Sequence, residues 1–166
     1  MAALKPISKA AIPQALTKAT RYRLLNEPAQ AESICRDVLE ADPTNQDALY
    51  SLILTLTDQF GSLGGASLSD IMKLTEQLTD PYQGDYARGI VQERYAAVAL
   101  ETHSPHAGYI AFDHLKQAMD HFERAEKVRP QDNEDPILRW NACVRMIELH
   151  KLRAAPEEEH RPLMGE

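Results

Sequence analysis

The sequence predicts an all-α protein of about seven helices joined as antiparallel hairpins. Composition is the first reason. Ala, Leu, Glu, Gln, Lys and Arg, which lose little on entering a helix, fill most segments, and the aromatic and β-branched clusters that mark strands are lacking. Periodicity is the second, because apolar residues recur at spacings of three and four, one side of a helix. Proline is the third: it fits the first turn of a helix, where its missing N–H would have had no partner, and it stops helices that run into it.

Pro13, Pro28, Pro81, Pro105 and Pro136 each precede a helical pattern, with Asp80, Ser104 and Asp135 placed as N-caps before three of them. Pro43 and Pro130 follow periodic runs instead, and Thr44 is placed to cap what comes next. "EADPTNQDAL", residues 40–49, is therefore punctuation between two helices. The resulting helices are expected at 13–26, 28–41, 45–60, 67–79, 81–101, 105–128 and 136–153. Short links between them favour antiparallel neighbours. The exception is "GSLGG", Gly61 to Gly65, where no strand precedes and no Gly-Lys-Ser/Thr follows; a flexible turn is expected rather than a phosphate loop.

In the longest helix Phe112, Leu115, Met119 and Phe122 line one side with Ala111, Ala118 and Ala125, while His114, Gln117, His121 and Arg124 fall on the other. Small residues let a second helix approach and large ones fill the grooves. The chain divides into a flexible segment at 1–12, one helical domain at 13–153 and a polar, disordered tail at 154–166 that holds "EEEH" and two prolines.

Charge excludes one class of partner. The net charge of −7 argues against nucleic acid, which demands a basic surface. Before Glu27 there are five basic residues and no acidic one, leaving 13 basic against 25 acidic residues in the remainder. A basic, acid-free start fits a transit peptide or a first helix that carries its charge outward; Leu16, Ala19, Tyr22 and Leu25 form an apolar side that favours the helix. No apolar run approaches the roughly 20 residues needed to span a bilayer. Cys35 and Cys143 lack metal-type spacing and read as buried thiols, so a cytoplasmic, reducing location is expected.

The residues offer no catalytic set. Neither Gly-x-Ser-x-Gly nor a Cys beside a loop-borne His occurs. His114 and His121 share a face but stand ~10 Å apart along the helix, too far to hold one metal. His103, His106 and Glu101 around one link lack a further well-spaced ligand. The expectation is no enzyme, no metal and no cofactor.

A family resemblance rests on spacing. In "ALTKATRYRLLNEPAQAESICRDVLEADP", Ala19, Tyr22, Ala31, Cys35, Val38 and Pro43 match the pattern of a tetratricopeptide repeat; Leu49, Leu52, Ile53 and Leu56 match the next first helix. "AGYIAFDHLKQAMDHFERAEKVRP" supplies Ala118, Phe122, Ala125 and Pro130, and "DPILRWNACVRMIEL" resembles one more first helix through Ile137, Trp140, Asn141 and Val144. Pro43 and Pro130 lie 87 residues apart, 19 more than two units of about 34, so an irregular unit separates two regular ones.

The chain thus resembles a degenerate member of that family. The resemblance implies hairpins stacked as a short right-handed superhelix, a terminal capping helix, and a concave wall that binds a peptide or partner helix. It implies groove positions at Arg23, Tyr50, Leu54, Arg88, Gln92 and Arg145. The Lys and Asn set with which some members grip a terminal carboxylate is replaced by Leu16, Thr20 and Ser51, so that clamp does not carry over. An adaptor, scaffold or chaperone-like role is expected, with no membrane and no nucleic acid involved; a homodimer formed through helix faces is the alternative.

Overall fold

The computed structural model describes residues 2–156, and among these there are seven α-helices and no strand. They are α1 (Ile12–Leu24), α2 (Pro28–Ala41), α3 (Gln46–Thr57), α4 (Leu68–Thr75), α5 (Pro81–Glu101), α6 (Ala107–Lys127) and α7 (Asp135–Leu149). The all-α class and the helix count agree with the sequence prediction. The expected tail at 154–166 falls mostly on residues 157–166, which lie outside the described ones. In the opening segment, a 3₁₀ turn at Lys9–Ala11 leads into α1, and Ile7 and Ile12 pack against Val38 and Ala48.

Local chemistry sets the helix ends. Asp80 caps α5 by accepting from the backbone N–H of Tyr82 and Gln83, and Asn45, one residue beyond the expected Thr44, caps α3 by accepting from Ala48 N–H. Ser104 is not the cap of α6. That helix starts at Ala107 behind a turn in which Ser104 Oγ accepts from His106 N–H. Both α1 and α7 stop earlier than their apolar pattern. Asn26 and Lys151 take left-handed backbone, while Glu27 N–H reaches Tyr22 O and Leu152 N–H reaches Ile147 O at 2.9 Å. Each closes a Schellman turn that satisfies carbonyls the helix leaves open. Gly61 and Gly64, both at φ +79°, turn the chain between α3 and α4, and Ser67 then caps α4 through Asp70 N–H.

Packing follows the chain. α1 meets α2 and α3, α3 meets α4 and α5, and α6 meets α5 and α7. α1, α3 and α5 thus lie side by side, and a salt bridge from Glu93 to Arg139 extends that row to α7; α2, α4 and α6 each bridge two of its members. Beside the Ile12, Val38 and Ala48 cluster, two larger apolar clusters fill the interior. One joins Ala19, Cys35, Leu52, Ile53, Leu56, Ile71 and Val91; the other joins Ile90, Ala96, Leu115, Phe122 and Cys143. α5 contributes to both, which is why it is buried on several sides.

The α5–α6 contact is the most extensive between any two helices among the described residues. A Cβ placed on Gly89 would lie 2.4 Å from Phe122 Cε1 and 2.6 Å from Cδ1, so only glycine lets this fully buried ring come so near the α5 backbone.

Candidate interaction surface

Along the row α1, α3, α5 and α7, charged and aromatic side chains meet across helix boundaries. On α1, Arg23 donates from Nε to Asp58 Oδ2 at 2.7 Å and from Nη2 to Oδ1 at 3.3 Å, and Asp58 sits just past the end of α3. Arg94 of α5 reaches the same carboxylate, Nη1 to Oδ1 at 2.6 Å, and also donates to Thr57 Oγ1 and Leu54 O. One carboxylate is therefore shared by two guanidiniums. The neighbouring α5 residue, Glu93, accepts from Arg139 Nη1 of α7 at 3.2 and 3.3 Å. A ladder of five charges thus crosses four helices.

Its electrostatics follow from partial burial. Desolvation lowers the Arg94 pKa although Asp58 opposes it. Desolvation likewise raises Glu93 against the pull of Arg139 and Arg94, so its carboxyl holds a proton to higher pH than an ordinary one. For Arg139, burial works against the charge, but Glu93 and a hydrogen bond with Tyr86 outweigh it. Tyr50 lies within electrostatic reach of Tyr86, Tyr82, Arg139 and Arg94, and burial pushes its phenol up to about 12. Tyr82 stacks on Tyr86 at 5.6 Å between ring centres, and Asn133 donates to Tyr82 Oη at 2.8 Å.

Three of the six residues chosen from sequence belong here: Arg23, Tyr50 and Leu54, whose carbonyl receives Arg94. Arg88 and Gln92 face the other way. Arg88 donates from Nε to Thr75 Oγ1 of α4 at 3.2 Å, and Gln92 is buried with its Oε1 2.6 Å from His114 Nδ1 of α6. Arg145 is exposed on α7, away from the ladder. Tyr86, Glu93, Arg94 and Arg139 take the places on this surface that the sequence reading assigned elsewhere. The signal for Glu93 and Arg94 was present as adjacent opposite charges in "QERY", yet a helix buried on several sides offers no single polar stripe from which to set its rotation.

His114 and His121 are engaged in packing. His114 meets Tyr95 edge to face at 4.6 Å, and desolvation lowers its pKa. His121 Nδ1 lies 2.7 Å from Arg124 Nη2 and 3.2 Å from Asp85 Oδ1; desolvation lowers its pKa too, which fits a neutral ring accepting from Arg124. His103 Nδ1 lies 2.6 Å from Glu101 O. Among the described residues no group of three or more His, Cys, Asp or Glu side chains is placed to hold a metal ion, and no helix is long and apolar enough to cross a membrane. Cys35 and Cys143 are free and buried, and burial pushes their thiols up to about 11 and about 12.

Beside Arg23 and Asp58 lies a cavity of about 270 Å³ bounded also by Thr20, Leu24, Asn26 and Pro28. A second, of about 310 Å³, runs between α6 and α7 along Glu123, Glu126, Ile137, Trp140 and Asn141. Comparison with protein-family models, curated proteins and solved structures finds no match.

Proposed function

We propose that this chain is a protein–protein interaction module of tetratricopeptide-repeat type, receiving a peptide or partner helix on the wall formed by α1, α3, α5 and α7. The observation that carries the reading is the ladder Arg23–Asp58–Arg94 and Glu93–Arg139, with Tyr50 and Leu54 between its rungs. Partly exposed Arg and Tyr side chains held rigid by mutual contacts are strong contact material, because little conformational freedom is lost when a partner arrives. Side-by-side first helices bridged by second helices are also the arrangement from which repeat arrays build an extended wall.

The spacing match to repeat hairpins favours binding over catalysis. A cytoplasmic adaptor, scaffold or chaperone-like role follows from that reading. The test is site-specific photocrosslinking in a native extract, with benzoylphenylalanine at position 50 and, as control, at position 36 on α2. Expected is a heteromeric adduct from position 50 and none from 36. Equal adducts from both positions, or none from position 50, would defeat the groove assignment, and an adduct of twice the chain mass would support the homodimer instead.

A further inference from the structure

Although the chain carries a net charge of −7, its ladder holds three guanidiniums (Arg23, Arg94, Arg139) against two carboxylates (Asp58, Glu93). Arg94 makes its three hydrogen bonds through Nη1, which leaves Nε and Nη2 without an acceptor among the described residues, on a side chain that is 27% exposed. Arg23 spends Nε and Nη2 on Asp58 and keeps Nη1. Beside it opens the 270 Å³ cavity, large enough for one side chain, and Leu24, 83% exposed, forms an apolar lip.

Resting on the function proposed above, we infer that the partner is an acidic peptide, which places an Asp or Glu carboxylate against the free N–H edges of Arg23 and Arg94, beside Asp58. A guanidinium presents paired donors that match a planar carboxylate, and such charge-assisted bonds are about twice as strong as neutral ones. The Asp58 carboxylate does not turn the newcomer away, because two cations already neutralise it. An apolar residue next to the acid covers Leu24. A basic peptide would meet the excess positive charge of two guanidiniums on one carboxylate and lose, since like charges brought together in a partly dehydrated site repel.

Fluorescence anisotropy with three labelled peptides tests this. In the first, glutamate and leucine alternate with alanine; in the second, glutamine replaces every glutamate; in the third, phosphoserine does. Expected is binding of the glutamate peptide, weakening as salt rises, with the glutamine peptide about tenfold weaker. Arg94→Gln and, separately, Arg23→Gln should each weaken the glutamate peptide about tenfold, whereas Arg36→Gln, the same charge change on α2, should not. The Arg23 variant preserves the Arg94–Asp58 pair, so its result stands even if Arg94→Gln melts the fold.

Equal binding of the glutamate and glutamine peptides, no binding of the glutamate peptide, or equal losses from Arg36→Gln would overturn the inference. So would a phosphoserine peptide about tenfold tighter than the glutamate one, which would assign the site to phosphate. Glutamine-peptide binding that disappears in Tyr50→Ala would leave the groove function standing while removing the acidic partner. Glutamate-peptide binding indifferent to Tyr50→Ala, Arg23→Gln and Arg94→Gln alike would remove both.

Discussion

Replacing Gly89 with alanine sets two effects of opposite sign against each other. In an exposed helix interior the exchange would stabilise by about 1 kcal/mol, because glycine loses more backbone freedom on folding. Here the added methyl would stand 2.4, 2.6 and 2.8 Å from three atoms of the Phe122 ring, where carbon atoms rest near 3.5 to 4.0 Å. Relief requires a retreat of about 1 Å by a fully buried ring that also contacts Tyr86, or a parting of α5 from α6. Overpacking on that scale costs about 1 to 3 kcal/mol, and for an immovable aromatic the upper end applies, so a net loss of about 1 to 2 kcal/mol is expected. Urea unfolding followed by circular dichroism measures it, and Phe122→Leu in the Gly89→Ala background should recover part of what the two single changes lose separately. A Gly89→Ala protein more stable than the parent would refute the close-packing account and restore helix propensity as the dominant effect.

Protonation gives a second expectation. His114 and His121 titrate below their ordinary value because burial disfavours the charged ring; the fold prefers them neutral, so stability is complete above about 6.5 and declines as pH falls through the lowered values. Glu93, raised by burial, contributes the opposite slope just above the ordinary carboxylate range, and Glu93→Gln removes it, leaving the histidine decline to be read from urea midpoints between pH 7.5 and 5.5. A midpoint that rose on acidification in Glu93→Gln would contradict the assignment. Trp140 holds a buried indole N–H with no partner among the described residues, so Trp140→Phe should leave stability unchanged or raise it by up to about 1 kcal/mol; a loss above about 2 kcal/mol would mean the N–H is satisfied. Cys35 and Cys143 should resist a thiol reagent at pH 8 in the native protein and react fully in guanidinium, and fast native labelling would show that burial does not protect them.

Much of the fold was legible because proline leaves a direct mark on the chain. Pro28, Pro81 and Pro136 sit in the first turn of α2, α5 and α7, as their fixed φ dictates. Helix ends governed by hydrogen bonds were harder: the apolar pattern of α1 runs through Leu25, yet the left-handed Asn26 and the Glu27 N–H bond close the helix at Leu24. Surface positions are hardest to place from sequence on α5, whose Gly84, Ala87, Gly89, Ile90, Gln92, Glu93 and Ala96 are all buried. With neighbours on several sides, period alone cannot say which of Arg88 and Arg94 faces a partner. Two glycines inside one helix were the available clue. They cost helix stability, so they mark places where something must come close; with Gly89 on the α6 side, Arg94, five residues on and about 140° around the helix, turns toward the other.

The Asp58 carboxylate has a mechanical consequence. It fastens α1 to α5 across the end of α3, tying the first member of the row to the third through two ion pairs. A row of helices joined neighbour to neighbour bends by accumulating small tilts. A strut spanning two such joints limits that bending at one end of the molecule, while the Glu93–Arg139 pair spans a single joint at the other. Stiffness is thereby graded along the wall, with two joints braced by ion pairs at its α1–α5 end and one at its α7 end.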